Sequence, residues 1–205
     1  MTITKIEPLD KRRSKVTVNE DFTLALYKGE IKRFGIEEGG ELPEEVYQEI
    51  LDEILYKRAV ERACYLLKSA DKTELEIRRK LREGFYPEEA VNYAVEFLKN
   101  HRYIDDENYG RRYAEFNAGR KSRRLIQYEL QKKGLSDEAI SEILEEQPID
   151  EEAQIYAQIT KKYRDPKAMT QKERMNMMAS LRRKGFSWET VNRVYRKIEC
   201  GDGEY

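Results

Sequence analysis

His101, Cys64, Cys200 and the adjacent Asp105 and Asp106 are the side chains with which proton transfer, thiol chemistry or metal binding would have to begin in this sequence. None has the company such chemistry needs. With a single histidine, no histidine-based zinc site or Ser/His/Asp triad can be assembled, and His101 beside Arg102 reads as a solvated turn residue. The two cysteines are widely separated and belong to no motif, which fits a reducing compartment and offers no disulfide framework. Cys64 falls on the apolar side of its helix and reads as core. Asp105 and Asp106 stand between YI and ENYGRRYAEF, where Asp105 would cap a helix and Asp106 and Glu107 would face the positive end of its dipole. A metal ion would need more ligands close by. No glycine-rich phosphate loop of the Walker type occurs. The residues point to a protein that is not an enzyme and that uses no cofactor and no metal.

What remains is charge. The chain has 39 basic and 40 acidic residues, a net charge of −1, yet the two signs are segregated. Residues 35–60 carry −6, residues 136–153 carry −8 with no base, and residues 161–197 carry +9 from twelve basic and three acidic side chains. A smaller basic zone, GRKSRR, covers 119–124. Solvated, mutually paired helix faces would also produce charge blocks, but an imbalance of +9 is not needed for folding. It reads as an electrostatic footprint for nucleic acid or for an acidic protein groove. The candidate contacts in the central region are Arg111, Arg112, Arg120, Lys121, Arg123, Arg124, Lys132 and Lys133. In the last block they are Lys161, Lys162, Arg164, Arg182, Arg183, Lys184, Arg193, Arg196 and Lys197. Tyr109, Tyr113 and Phe116 recur at helical spacing and read as core rather than as a base-stacking platform.

The elements that would carry these side chains are legible from periodicity. ITKIEPL, KVTVN and FTLALY are short, partly alternating and broken by LDKRRS and NED, which predicts three small antiparallel strands. Gly35, Gly39 and Gly40 mark a loop, and Pro43 then opens a helix, with the proline in its first turn. Val46, Ile50, Ile54, Ala59, Ala63 and Leu66 follow at steps of three to five, an amphipathic helical pattern. From there the chain reads as helices only. Aligning Leu81, Leu130 and Leu181, spaced 49 and 51 residues apart, brings three copies of one turn and helix into register: EGFYPEEAVNYAV, KGLSDEAISEIL and KGFSWETVNRVY. Each copy has a further helix ahead of it, so the repeated unit has three helices.

Within the repeat, glycine supplies the left-handed residue after a basic helix end. Ser136 and Ser187 cap the next helix, and Pro87 starts it in the first copy. That first copy departs from the others: its glycine, Gly84, comes one place early and Phe85 stands where they have glycine. Its turn is therefore expected to differ in local geometry. The predicted fold is mainly α: tandem three-helix repeats in an elongated curved array, with a small N-terminal antiparallel β segment. The segments are 1–40 (β-rich), 41–100 (linking helix and first repeat), 101–148 (second), 149–199 (third) and 200–205 (tail). No apolar run is long enough to span a membrane, and MTITKIEPLDKRRSK lacks the features of a signal peptide. A cytoplasmic protein is expected.

KLREGFYPEEAV, YIDDENYGRRYA and ELQKKGLSDEAI, taken together, resemble the RecX family of bacterial recombination regulators. The resemblance runs from about residue 55 onward and is strongest over residues 72–145. The chain departs from the family pattern at Gly84–Phe85 and at Trp188, where an acidic residue is commoner. The resemblance implies a non-enzymatic regulator of homologous recombination, DNA repair and the SOS response. Such a protein binds the RecA recombinase filament on single-stranded DNA, lies in its helical groove, and inhibits or modulates ATP hydrolysis, strand exchange and co-protease activity. It also implies a monomer that reaches single-stranded DNA through the filament, with weak direct DNA binding. An extended array could contact several protomers at once and gain avidity. The basic segments leave two other readings open: a helical DNA-binding protein that acts without a recombinase, and a helical scaffold for some other protein.

Overall fold

A computed structural model describes residues 1–147 and 149–200; the expected tail lies outside the described residues except for Cys200. The chain separates into two compact units, Met1–Asp106 and a second that starts at Glu107.

In the first unit, β1 (Ile3–Pro8), β2 (Arg13–Val18) and β3 (Phe22–Tyr27) form an antiparallel sheet in the order β1-β2-β3. The β2–β3 hairpin is tight: Asn19 and Glu20 have φ of 53° and 58°, the handedness that matches the twist of paired strands. Ile3, Val16, Val18, Leu24 and Leu26 are buried in the core that the sheet shares with the helices. After the short α1 (Lys28–Arg33), α2 (Glu44–Ile50) begins one residue beyond Pro43. With φ −58° and ψ 148°, Pro43 is the N-cap rather than part of the first turn. A π-helical turn at Leu51–Leu55 then leads directly into α3 (Tyr56–Leu67). Across this turn the buried face steps five residues, from Ile50 to Leu55, and Ile54, which the sequence pattern marks, is only partly buried. A π turn inserts a residue, which keeps Leu55, Ala59, Ala63 and Leu66 on the buried side. α4 (Glu74–Glu83) and α5 (Glu88–Asn100) complete the first three-helix group around Ile77, Leu81, Val91, Ala94 and Leu98.

Six further α-helices follow among the described residues: α6 (Asp106–Asn117), α7 (Arg123–Lys132), α8 (Asp137–Glu146), α9 (Glu151–Lys162), α10 (Gln171–Arg183) and α11 (Trp188–Cys200). They bury two separate cores. One is built on Ala114, Ile126, Leu130, Ile140 and Ile143, the other on Ile155, Ile159, Leu181, Phe186, Val191 and Val194. The fold is mainly α, with three tandem three-helix units behind a small antiparallel sheet.

The three repeated turns share one hydrogen-bond pattern. The carbonyl of Leu81 accepts from Gly84 and Tyr86 at 2.9 and 3.2 Å, that of Leu130 from Lys133 and Leu135 at 3.0 and 3.2 Å, and that of Leu181 from Lys184 and Phe186 at 3.0 and 3.3 Å. Gly134 (φ 92°) and Gly185 (φ 88°) supply the left-handed residue. The expectation of a different first turn is overturned. Gly84 has φ −86°, and Phe85 itself takes the left-handed conformation, at φ 59°. That backbone costs a non-glycine residue about 1–2 kcal/mol. It is held by the sheet: the Ala25 N–H of β3 donates to the Phe85 carbonyl at 3.1 Å, and Lys15 Nζ lies 5.7 Å from the Phe85 ring centroid. The caps follow the sequence, with Ser136 Oγ accepting from the Ala139 amide at 3.2 Å and Ser187 Oγ from that of Thr190 at 3.0 Å. Pro87 occupies the N-cap of α5 rather than its first turn.

Candidate functional site

Gly185 does more than end a helix. A Cβ at this position would lie 2.3 Å from Ser122 Oγ and 2.6 Å from Leu125 Cβ, so both the backbone conformation and the space require glycine. The Ser122 N–H donates to the Lys184 carbonyl at 2.9 Å, and Ser122 Oγ accepts from the Leu125 amide at 3.1 Å, capping α7. The turn between α10 and α11 is thereby pinned against the first turn of α7.

This joint forms one wall of a cleft of about 530 Å³. Arg124, Leu125 and Tyr128 line it from α7, and Arg182, Gly185, Phe186, Ser187 and Trp188 line it from the turn and its flanking helices. No acidic residue is among the lining residues. Phe186 is buried, whereas Tyr128 and Trp188 are 51% and 56% exposed. Lys132 Nζ lies 4.6 Å from the Tyr128 ring centroid. Arg124, Tyr128 and Lys132 therefore form a stripe at i, i+4 and i+8 on one face of α7. Arg182 presents a planar fork of donors that can take a phosphate or carboxylate bidentately, and so does Arg124.

The other basic candidates divide by what they already touch. Lys121 Nζ donates to Glu129 at 2.7 Å and to the Tyr113 hydroxyl at 2.9 Å. Burial works to lower the Lys121 pKa, but the bonds to Glu129 and Tyr113 outweigh it and leave it raised, so this lysine is a fixed charge within the fold. Arg111 pairs with Glu146 at 3.2 Å, and Arg123 donates to the Leu144 carbonyl at 2.7 Å. Lys184 donates to the Gln158 side chain. Arg193 and Lys197 both reach Glu152, at 2.9 and 2.7 Å. These six already have partners within the fold, although Arg111, Arg193 and Lys197 keep 42%, 54% and 41% of their side-chain surface exposed.

Arg120, Lys133 and Lys162 lie over Phe116, Tyr109 and Tyr163, at 4.7, 5.6 and 5.4 Å from the ring centroids. Arg112 is exposed on α6. Arg124, Lys161, Arg164, Arg182, Arg183 and Arg196 are exposed and form no ion pair among the described residues. Of these, the cleft brings together Arg124 and Arg182.

A second cleft, of about 590 Å³ in the first unit, shows why pairing matters more than a count of bases. Arg13, Arg58, Arg62 and Lys80 line it, but so do Glu61 and Glu83. Arg13 is bound to Asp10 at 2.8 Å, Lys80 to Glu83 at 2.7 Å, and Arg58 to Glu30. Three of its four bases are thus already paired.

Two readings change with the structure. Phe116 is 68% exposed beneath the Arg120 guanidinium, so it is not core, whereas Tyr113, half-buried with its hydroxyl donating to Glu129 at 2.7 Å, packs against the core around Leu130 as expected. Asp106 opens α6, but its carboxylate accepts from the Glu74 amide at 2.9 Å, serving the start of α4 as well. Burial pushes the Asp106 carboxyl up, against the lowering effect of that amide. His101 is exposed, as expected, and its ring also stacks on Phe97 at 4.1 Å. Tyr128 and Trp188 are not among the residues the charge pattern singles out. The signal for Tyr128 was its place midway between Arg124 and Lys132; that for Trp188 was a large aromatic at a position where the neighbouring repeats have Glu88 and Asp137.

Compared with known proteins, residues 59–98, 105–144 and 150–195 match the first, second and third three-helix domains of RecX. The chain is 30% identical to regulatory protein RecX of Clostridium acetobutylicum over 205 residues, 96% of each chain. It is 31% identical to regulatory protein RecX of Caldanaerobacter subterraneus subsp. tengcongensis over 197 residues, 95% of this chain and 98% of the relative. A crystal structure of regulatory protein RecX superposes with a TM-score of 0.55 at 23% identity, covering 95% of this chain and 98% of that one. RecX from Lactobacillus salivarius gives 0.54 at 19%, covering 71% and 97%; at these identities the structures support the fold alone. With three successive domain matches and relatives aligned over nearly their whole length, the chain belongs to the RecX family.

Proposed function

We propose that the chain is a non-catalytic regulator of the RecA recombinase. It binds the RecA–single-stranded DNA filament in its helical groove, as a monomer, and inhibits or modulates ATP hydrolysis, strand exchange and co-protease activity. In the cell this places it in homologous recombination, DNA repair and the SOS response. Family membership supports the partner. The observation that carries the choice of contact surface is the cleft of the second unit, where Arg124 and Arg182 lie exposed beside Tyr128 and Trp188 with no acidic lining residue. Arg193, Lys197 and Lys121 are weaker choices because Glu152 and Glu129 already hold them.

The test is RecA ATP hydrolysis on single-stranded DNA with the protein titrated in. Inhibition is expected, and the double substitution Arg124→Glu and Arg182→Glu is expected to raise the concentration for half-inhibition at least tenfold while leaving helicity unchanged. This corresponds to the loss of about 1.4 kcal/mol of binding. Absence of inhibition at any ratio overturns the function; unchanged inhibition by the double variant moves the contact elsewhere.

A further inference from the structure

We propose that the groove between α3 and α5 in the first unit is a docking site for a basic amphipathic segment of a partner protein, seating an apolar side chain on Tyr56, Tyr93 and Phe97 and setting lysine or arginine against Asp52 and Glu61. This surface is opposite in sign to the arginine cleft of the second unit, so the site is separate from the contact named above.

α3 and α5 pack side by side, and the Tyr56 and Tyr93 rings stack between them at 4.4 Å. One turn further along each helix, Val60 and Phe97 complete the apolar floor of a groove of about 550 Å³. Val60 and Phe97 are partly buried, whereas Tyr93 keeps 48% of its surface exposed. The aromatic surface continues past the groove: His101 stacks on Phe97 at 4.1 Å, and the exposed Tyr103 lies 5.7 Å from His101. A contiguous exposed apolar surface marks an interaction site in a way that scattered single side chains do not. Charge decides the kind of partner. Asp52, carried by the π turn, and Glu61 line the groove and form no ion pair among the described residues, whereas nearby Glu49 and Glu53 both hold Arg33. Lys57, the one base in the lining, pairs with neither acid. The Tyr56 phenol is pushed up, first by burial and then by the carboxylates of Asp52 and Glu89, so α5 adds a further acid beside the ring. These carboxylates repel the phosphates of nucleic acid and of anionic lipid, and they favour a cation. A cation alone would leave the apolar floor unused. An amphipathic helix laid in a groove offers an apolar anchor with basic residues beside it, and its lysine or arginine can also gain from the faces of Tyr and Phe.

The full-length protein, without recombinase, is titrated into a fluorescein-labelled synthetic helix of about sixteen residues, roughly four turns. The probe carries leucines at i, i+3, i+4 and i+7 along one face, flanked by arginines, and its anisotropy is read. The expected result is saturable binding at roughly micromolar affinity, at least fivefold weaker when glutamine replaces the arginines or serine the leucines. Tyr93→Ala is expected to weaken binding roughly tenfold, and Asp52→Lys with Glu61→Lys to do the same, whereas Tyr93→Phe retains most of it. Glu138→Lys with Glu142→Lys, the same charge change at exposed positions of α8, should leave binding unaltered. Circular dichroism checks that each variant keeps its helicity; if Tyr93→Ala does not, the exposed Asp52 and Glu61 carry the test. Absence of binding, equal binding of the glutamine or serine probe, or weakening by the α8 variant as large as that by the groove variants overturns the proposal. So does a dimer in sedimentation that Tyr93→Ala abolishes, since the occupant is then a second copy of the chain. Affinity for a labelled oligothymidylate should not change in Tyr93→Ala, and a matching loss there would make the groove a nucleic-acid surface instead. Because recombinase is absent, failure here leaves the ATP-hydrolysis test of the regulatory function standing.

Discussion

Asp10 shows how single side chains set conditions for the whole sheet. Its carboxylate accepts from the amides of Arg12 and Arg13 at 2.8 Å each, and from Arg13 Nε at 2.8 Å. These contacts, the Arg12 amide foremost, hold its pKa down to about 2. The unfolded chain holds this proton more tightly, with a pKa near 3.9. The resulting stabilisation is complete above that value and is lost as pH falls from about 4 to about 2. Glu7, held down to about 2 chiefly by Lys15, acts in the same window. Urea midpoints measured between pH 6 and pH 2 should therefore fall less steeply below pH 4 in Asp10→Asn than in the unaltered chain, and identical slopes would remove Asp10 from the account. The strands themselves were legible as alternation, but this turn chemistry was not, because it depends on which amides the folded chain aims at one carboxylate. Phe85 is the complementary case. Sequence marked it as the exception among three turns, but only its pairing with Ala25 shows why the backbone keeps the common geometry there.

At the scale of elements, Gly185 and the Ser122 cap connect α10 and α11 to α7, and the connection can be tested by filling the space that glycine leaves. Gly185→Ala combines a left-handed alanine, about 1–2 kcal/mol, with crowding against Ser122 and Leu125, typically about 1–3 kcal/mol. A loss of about 2–4 kcal/mol is expected in chemical denaturation. Gly119→Ala, at a glycine with nothing within 4 Å of an added Cβ, should stay within about 0.5 kcal/mol of the unaltered chain. If both glycines tolerate alanine equally, the close approach is not what holds the joint. The repeated beat made the turn legible as a glycine position. It did not make the joint legible, since the contact partner lies some sixty residues away in the preceding three-helix unit. The same distance explains the partial reading of the site. A list of basic residues can be taken from charge, but which of them are already bound to Glu129, Glu146 or Glu152 depends on helix packing.

For the whole molecule, the relevant division is among hydrophobic cores. The sheet and α2–α5 share one, while the six later helices bury two more, around Leu130 and around Leu181. The sequence pattern placed an equivalent leucine at each centre, yet repeats of this kind are stabilised by their own cores plus nearest-neighbour terms, so equivalent leucines need not have equivalent reach. Leu181→Ala removes a fully buried side chain and should cost about 2–5 kcal/mol. Hydrogen exchange followed by mass spectrometry locates where that loss is felt. Amides of α9–α11 should exchange faster. Those at the first turn of α7 should follow in part, because the Ser122 N–H is bonded to the Lys184 carbonyl at 2.9 Å. Amides of α3–α5, whose core contains none of the affected residues, should keep their protection. Equal acceleration in α3–α5 would mean that the chain opens as one cooperative body, and a substitution at any of the three equivalent leucines would then act on the cleft as strongly as one beside it.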